Sequence, residues 1–296
     1  MQELHSKIDT SVNFVVPAGD GGFYESRFVQ REPDYFIVYL SSHSGCNQTC
    51  RFCHLTATGQ TMMKQATLDD FIKQASLVLK HYDSNINQPA VTVHFNFMSR
   101  GEPLLNDVVV NNTCELFSSL SDLAAQLGLV SKFKISTIMP EGFDGNKLSS
   151  IFQDPRAMLY YSLYSVDPIF RKKWLPHAML PDKALFFINV LQTTNNRDVA
   201  IHGAFIKDQN DSDINAFEMV SLLNSYRIKF KFNIVRYNPY DSRYGIEATE
   251  ERINRIFEIV VGCKVFAKSP NRIVPRVGED VKASCGMFVD CLDEIV

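Results

Sequence analysis

Six short runs rich in β-branched and aromatic residues alternate strictly with amphipathic stretches along this chain, and no other feature limits its fold so sharply. The β-type runs span residues 35–40, 91–97, 132–138, 158–163, 199–206 and 229–235. Helix-like segments lie near 68–82, 107–127, 144–152, 182–193, 212–225 and 249–261. Thr67 with Asp70 three positions on, and Ser212, supply capping signals at two of these starts. Strict alternation implies a parallel sheet with right-handed crossovers, closed or partly open as a barrel. The expected class is therefore α/β, a partial (β/α)6 barrel, with chemistry at the C-terminal ends of its strands. Residues 1–34 fall outside the alternation and read as a short N-terminal extension. Residues 35–262 read as the barrel and 263–296 as a C-terminal segment. No internal repeat, low-complexity tract or linker interrupts this partition.

The loop after the first of these strands holds three cysteines within eight residues, Cys46, Cys50 and Cys53, in the spacing C-x3-C-x2-C. Three thiolates this close can ligate three corners of a cubane iron–sulfur cluster and leave the fourth iron open. An open iron can bind a substrate or cofactor, which makes such a cluster a reagent. Two other readings stand beside this one. Zinc takes four ligands around one ion, so His54 or His43 would have to complete the set. Buried structural cysteines also cluster by chance.

Composition narrows the setting. Apolar residues make up 45% of 296 and charged residues 21%, the balance of an ordinary globular protein. No run of about 18 apolar residues occurs, so no membrane span is expected. The polar N-terminus, Met1 to Lys7, lacks an apolar signal core. Seven cysteines, an odd number with a tight triplet, argue against a disulfide scaffold. A cytoplasmic monomer is the expectation. A net charge of −3 leaves any nucleic-acid binding to a local basic patch. Arg51, Arg100, Arg171, Lys172, Lys173 and Arg236 fall in loops after strands and form one candidate, a basic mouth for a phosphate-bearing substrate. The alternative for 171–173 is a solvated helix face.

The triplet, with Phe52 just before its last cysteine, resembles the signature of radical S-adenosylmethionine (SAM) enzymes. The resemblance implies a [4Fe-4S] cluster whose open iron chelates SAM, whose reductive cleavage gives a hydrogen-abstracting radical, and a reductant such as flavodoxin or ferredoxin. Further motifs narrow it to the RlmN/Cfr family of adenine methyltransferases. Gly101-Glu102-Pro103-Leu104-Leu105-Asn106 resembles that family's G-E-P-L-x-N. Ser136-Thr137 and Ser162-Leu163 resemble its S-T and S-L-H-A segments. Asp167 to Pro176 resembles D-x-x-R-x-x-L-x-P, and Asn233 to Pro239 resembles N-L-I-P-x-N-P. Gly278 to Gly286 resembles G-x-D-I-x-A-A-C-G. These occur in family order from about residue 25 to residue 290. The family's fold implies the radical SAM form of the partial barrel. Its roles carry over as SAM contacts at Gly101, Glu102, Ser136, Ser162 and Asn233, and as the methyl carrier at Cys285. One SAM methylates the carrier sulfur, and a second supplies the radical that converts the methyl group into a carbon radical, which adds to the adenine ring. Plain structural readings stand beside these roles: strand-end serines, a helix-capping Glu102, a turn at Asn233, a buried cysteine at 285.

The pattern also breaks. The family resolves the thioether bridge between enzyme and base with a cysteine seven residues before the triplet. Here that position is Tyr39, which cannot form a disulfide. Cys291 is the nearest substitute in sequence, with Cys263 and Cys114 further off. The family's proton-abstracting Glu corresponds to Glu25 if one residue is inserted before Tyr39; a surface glutamate is the alternative. Tyr164 replaces a His, Arg100 and Arg236 enter the rim, and His54-Leu55 are extra. About 45 residues precede Cys46, too few for the family's helical RNA-binding domain. Three functions remain open: RlmN/Cfr-like base modification of an RNA or nucleotide, a radical SAM reaction of the same descent with another outcome, and a non-catalytic iron–sulfur or SAM-binding regulator.

Overall fold

The computed structural model describes residues 1–85, 89–262 and 270–290. They divide into two compact units. The first takes Met1–Asn47, Leu55–Ser136 and the segment from Val277 onward; the second takes Gln48–His54 and Thr137–Arg276.

The first unit carries strands β1 (Gln2–His5), β2 (Val12–Pro17), β3 (Phe23–Glu32), β4 (Tyr35–Tyr39), β5 (Thr92–Phe97) and β6 (Val130–Thr137). The first four pair antiparallel in sequence order, and β4, β5 and β6 pair parallel. Residues 1–34 are thus more than an extension: they add three strands to the sheet edge. Helices α1 (His54–Ala57), α2 (Leu68–Asn85), α3 (Asp107–Asn111) and α4 (Thr113–Ala125) connect the parallel strands. The expected single helix over 107–127 is broken at Asn112, whose backbone leaves the helical region at φ −123°, ψ 30°.

Strand pleating assigns the two faces of this sheet. Val93, Phe95 and Phe97 alternate with His94 and Asn96 along β5, so the two sets point to opposite sides. The apolar set packs on helices: Phe71 of α2 meets Phe97 at 5.4 Å, and Phe117 of α4 stacks on Phe133 at 3.9 Å. Each buried Phe contributes about 1.5–3 kcal/mol by removal from water. The opposite face is polar. Tyr39, Asn96 and Lys134 sit side by side in register, and Lys134 Nζ lies 2.7 Å from His94 Nδ1. A barrel interior filled only for stability is built from Val, Ile and Leu, so this face is committed to something besides packing.

The second unit holds β7 (Ala157–Ser162), β8 (Val199–Gly203), β9 (Phe230–Ile234) and β10 (Arg272–Ile273), paired parallel in that order. Its helices are α5 (Leu148–Ile151), α6 (Pro168–Trp174), α7 (Pro181–Asn195), α8 (Asp213–Ser225) and α9 (Glu250–Gly262). No helix among the described residues is long and apolar enough to cross a membrane.

Candidate active site

In the first unit the chain leaves β4 through Ser41, a small hub. Its hydroxyl accepts from the backbone N–H groups of Glu25 and Arg100 and donates to the Glu25 carbonyl. Cys46, half-buried, donates its backbone N–H to the carbonyl of Gln60 at 3.0 Å. Gly101 follows β5 with φ +90°, and a Cβ there would sit 2.5 Å from His43 Nδ1 and 2.6 Å from Ser42 Oγ. The glycine is therefore demanded by packing within the protein. Burial lowers the His43 pKa to about 4 against opposing effects from the Leu105 backbone and Asp107, so its ring is neutral at physiological pH. Glu102 is buried and accepts from Leu104 N–H at 3.1 Å. Asn106 ties three backbones: its amide donates to the carbonyls of Ser42 and Ala66, and its oxygen accepts from Val109 N–H.

Beside this loop lies a fully buried ionic cluster. Glu25 Oε1 accepts from Arg100 Nε at 2.8 Å and from the backbone N–H of Val289 at 3.0 Å. Glu25 Oε2 accepts from Arg27 Nη2 at 2.9 Å and from Asn13 Nδ2 at 2.8 Å. Burial alone would raise the Glu25 pKa, but the Arg100 and Arg27 guanidiniums outweigh it and hold the carboxyl below its ordinary range. The segment carrying Cys285 docks on the same strands. Asp280 accepts from Ser6 Oγ and Lys7 N–H, Asp9 accepts from Gly278 N–H, and Ser284 Oγ donates to Val277 O. Cys285 itself is exposed. Desolvation of its sulfur pushes the thiol pKa up, and the charges of Arg27 and Arg31 offset this only in part.

In the second unit Cys50 is buried in an apolar cluster with Tyr164, Trp174 and Tyr237, and Cys53 packs against it. Thr49 takes a left-handed turn at φ +48°, and Cys53 N–H donates to Cys50 O at 3.0 Å, which doubles the loop back on itself. Phe52 stacks on Tyr164 at 4.5 Å. Ser162, His202 and Asn233 occupy one register row across β7, β8 and β9, with Asn233 Nδ2 3.2 Å from His202 Nε2.

The donor set distinguishes two metal chemistries. Among the described residues no three His, Cys, Asp or Glu side chains gather about one ion. Structural zinc requires four ligands around a single point, whereas a cluster takes one thiolate per iron. Cys46, Cys50 and Cys53 are thiolate donors close in sequence, three for three irons, and that donor type fits the cluster.

No family model matches the chain. A dual-specificity RNA methyltransferase RlmN from Zymomonas mobilis is 27% identical over 286 residues, covering 95% of this chain and 69% of that protein. One from Aliarcobacter butzleri is 30% identical over 260 residues, 86% of this chain and 66% of that protein. The crystal structure of a radical SAM methyltransferase from Sphaerobacter thermophilus superposes with a TM-score of 0.79 at 20% identity, covering 97% of this chain and 80% of that one. The chain is an RlmN-like radical SAM enzyme. Its α/β architecture is accordingly the partial barrel of the radical SAM fold.

The geometry of the enzyme departs from the sequence reading in two places. Glu25 is no open base, since four donors already occupy its two oxygens. The basic mouth dissolves. Arg100 is buried against Glu25, and Arg171 is buried with its guanidinium on the carbonyls of Leu163, Ser165 and Met179. Arg236 is paired with Glu247 and Glu250. Arg51 donates to Arg243 O and lies over Trp174 and Tyr244. Lys173 donates to Gln209. These cations were read as a surface field, but Arg100 and Arg171 turn inward onto a carboxylate and carbonyls, while Lys172 and Lys173 are exposed on α6, the solvated helix face of the alternative reading. Tyr39, at the position of the family's resolving cysteine, is 9% exposed and packs with Val29 and Ile37, its hydroxyl 3.5 Å from Arg31 Nη2. Ser136 is half-buried near the end of β6, and Cys114 is exposed on α4. Cys291 and Cys263 lie outside the described residues. Sequence reasoning missed Arg27, Gln60 and His202. Arg27 had a signal, because it stands two positions after Glu25 and so shares its strand face.

Proposed function

We propose that this enzyme modifies a base in RNA or a nucleotide by RlmN-like adenine methylation, with Cys285 as methyl carrier. The barrel is residues 35–262, with the three strands of 1–34 continuing its sheet and 263–296 as an appended segment. Cys46, Cys50 and Cys53 hold a [4Fe-4S] cluster, and Gly101, Glu102, Ser136, Ser162 and Asn233 bind SAM. The cluster with SAM supplies one-electron cleavage and hydrogen-atom abstraction, driven by a flavodoxin- or ferredoxin-type reductant in the cytoplasm. The chain's own residues do the rest. Glu102, at the start of the turn after β5, is a carboxylate suited to an ammonium group. Cys285 Sγ, deprotonated, takes a methyl group from one SAM and leaves S-adenosylhomocysteine.

The observation that carries this reading is the place of Cys285, on a segment docked against the strands that precede the triplet through Asn13 and Arg27. Anaerobic reconstitution with SAM and a reductant tests it. Release of 5′-deoxyadenosine and one methyl group on the Cys285 peptide are expected. Cleavage without methylated Cys285 overturns the carrier role, and neither product favours a binding protein. A second reading, a reaction of the same descent that ends differently, draws support from Tyr39. A phenol held near Arg31 cannot attack a sulfur to give a disulfide, so the bridge between carrier and base needs another exit.

A further inference from the structure

We infer that Glu25 is the centre of a buried latch that sets the Cys285 segment in register with the Cys46 loop and the Gly101–Glu102 turn. It is a positioning residue, not a base. A carboxylate has about four acceptor sites, and the donors from Arg100, Val289, Arg27 and Asn13 fill them. No acceptor site remains for a substrate proton.

What those donors do next gives the cluster its role. Arg27 holds the carrier segment on both sides of Cys285, donating to Ser284 O at 3.4 Å and Met287 O at 2.6 Å. Arg100 donates to Val289 O at 2.6 Å and to Ser44 O at 3.2 Å, so one guanidinium touches both the carrier segment and the loop that leads into Cys46. Its own backbone continues directly into Gly101 and Glu102. Gln60 closes the ring: its amide donates to Val289 O, its side-chain oxygen accepts from Arg100, and its carbonyl accepts from Cys46 N–H. Phe288 lies 4.8 Å from the Arg27 guanidinium and 5.6 Å from that of Arg100, which adds cation–π attraction from the segment itself. Three motifs far apart in sequence are thus fixed to one another by a single carboxylate and two guanidiniums. Removing the carboxylate leaves two buried like charges in close quarters, which repel.

The part of this inference that concerns methyl transfer rests on the carrier reading above; the latch itself does not. The decisive variant is Arg27→Gln, which releases the carrier arm and leaves the Arg100 arm intact. Hydrogen exchange in the unloaded protein should rise about tenfold or more across 284–290, the expected loss when charged hydrogen bonds disappear. Exchange across 113–125 in α4 should stay at the wild-type value. In the reconstituted enzyme, methyl loading of Cys285 should fall while release of 5′-deoxyadenosine holds, and Arg27→Lys should recover part of the loading. Gln60→Ala, which removes no charge, should raise exchange at 289 by a smaller factor and serves if the arginine variant fails to fold. Wild-type exchange in both variants overturns the latch, as does an equal fall in loading and release. Unmethylated Cys285 in the wild type, with faster exchange in the variants, defeats the carrier reading and leaves the latch standing.

Discussion

Gly101 shows how a motif residue can be fixed by its neighbours before any ligand is considered. A left-handed backbone at φ +90° and a Cβ position 2.5 Å from the His43 ring exclude every other residue without strain. Gly101→Ala should lower stability by about 1–3 kcal/mol from the backbone alone, read as a shift in the urea midpoint, with the clash adding to it. His43 itself carries a pH signature. Its pKa falls from 6.5 to about 4 on folding, so the unfolded chain binds the proton between those values. Stability contributed by the neutral ring is complete above pH 6.5 and is lost as pH falls toward 4, up to about 3 kcal/mol. His43→Asn should flatten that limb in unfolding measured across the window. Cys285 points the other way. Its raised thiol pKa keeps it protonated near neutrality, and the thiolate is the nucleophile. Methyl loading, followed by peptide mass, should therefore speed up as pH climbs past the ordinary thiol range.

At the level of elements, Thr67 and Asp70 form the reciprocal cap that their spacing announced, with Asp70 N–H donating to Thr67 Oγ1 and Thr67 N–H to Asp70 Oδ2. Thr67→Ala should cost about 1 kcal/mol, visible as a lower midpoint of thermal or urea unfolding. Caps and periodicity are local, and so six of the parallel strands, β4 to β9, and the larger helices were legible from sequence to within a few residues, while the two-residue β10 was not. The strands before Tyr35 were not. Val12–Pro17 and Phe23–Glu32 are joined across Asp20-Gly21-Gly22, yet β3 mixes buried charges with apolar residues and lacks a clean alternation. Burial of Glu25 and Arg27 depends on partners up to 264 residues away, which no window on the sequence can see. The same holds for the lost basic mouth. A guanidinium looks alike in sequence whether it meets water or three carbonyls, as Arg171 of α6 does. The cysteine triplet stood out as a candidate by its spacing, and Glu102 and Cys285 by their likeness to family motifs, while His202 did not, since a lone histidine in a strand has no pattern.

For the molecule as a whole, two titrating groups in the first unit act in the same direction. Glu25 has its pKa held below the ordinary 4.5 by two arginines, so its contribution is present above that value and is lost as pH falls through the lower folded value. Stability should begin to fall near pH 6.5 with His43 and keep falling below 4.5, where the unfolded chain binds the Glu25 proton before the folded protein does. Glu25→Gln should remove the second part of this slope and lower stability at neutral pH, both measurable by thermal scans across pH. Replacing Cys46, Cys50 and Cys53 together by alanine should abolish iron–sulfur absorbance after reconstitution. It should leave the exchange pattern of 284–290 intact, because the latch uses only the backbone N–H of Cys46.

The docking of residues 277–290 onto β2 and β3 also bears on how the protein comes into being. Those residues leave the ribosome after every other described part. Until they arrive, Glu25, Arg27 and Arg100 lack the carbonyls and the Val289 amide that complete their hydrogen bonds. A nascent chain ending at Arg276 should therefore keep this charged groove hydrated and open to proteases. The thiol proposed for the reaction and the last closure of the first unit would then appear in one event. An enzyme built this way could hold no closed but carrier-less form during its own synthesis, a safeguard for a protein expected to handle radicals.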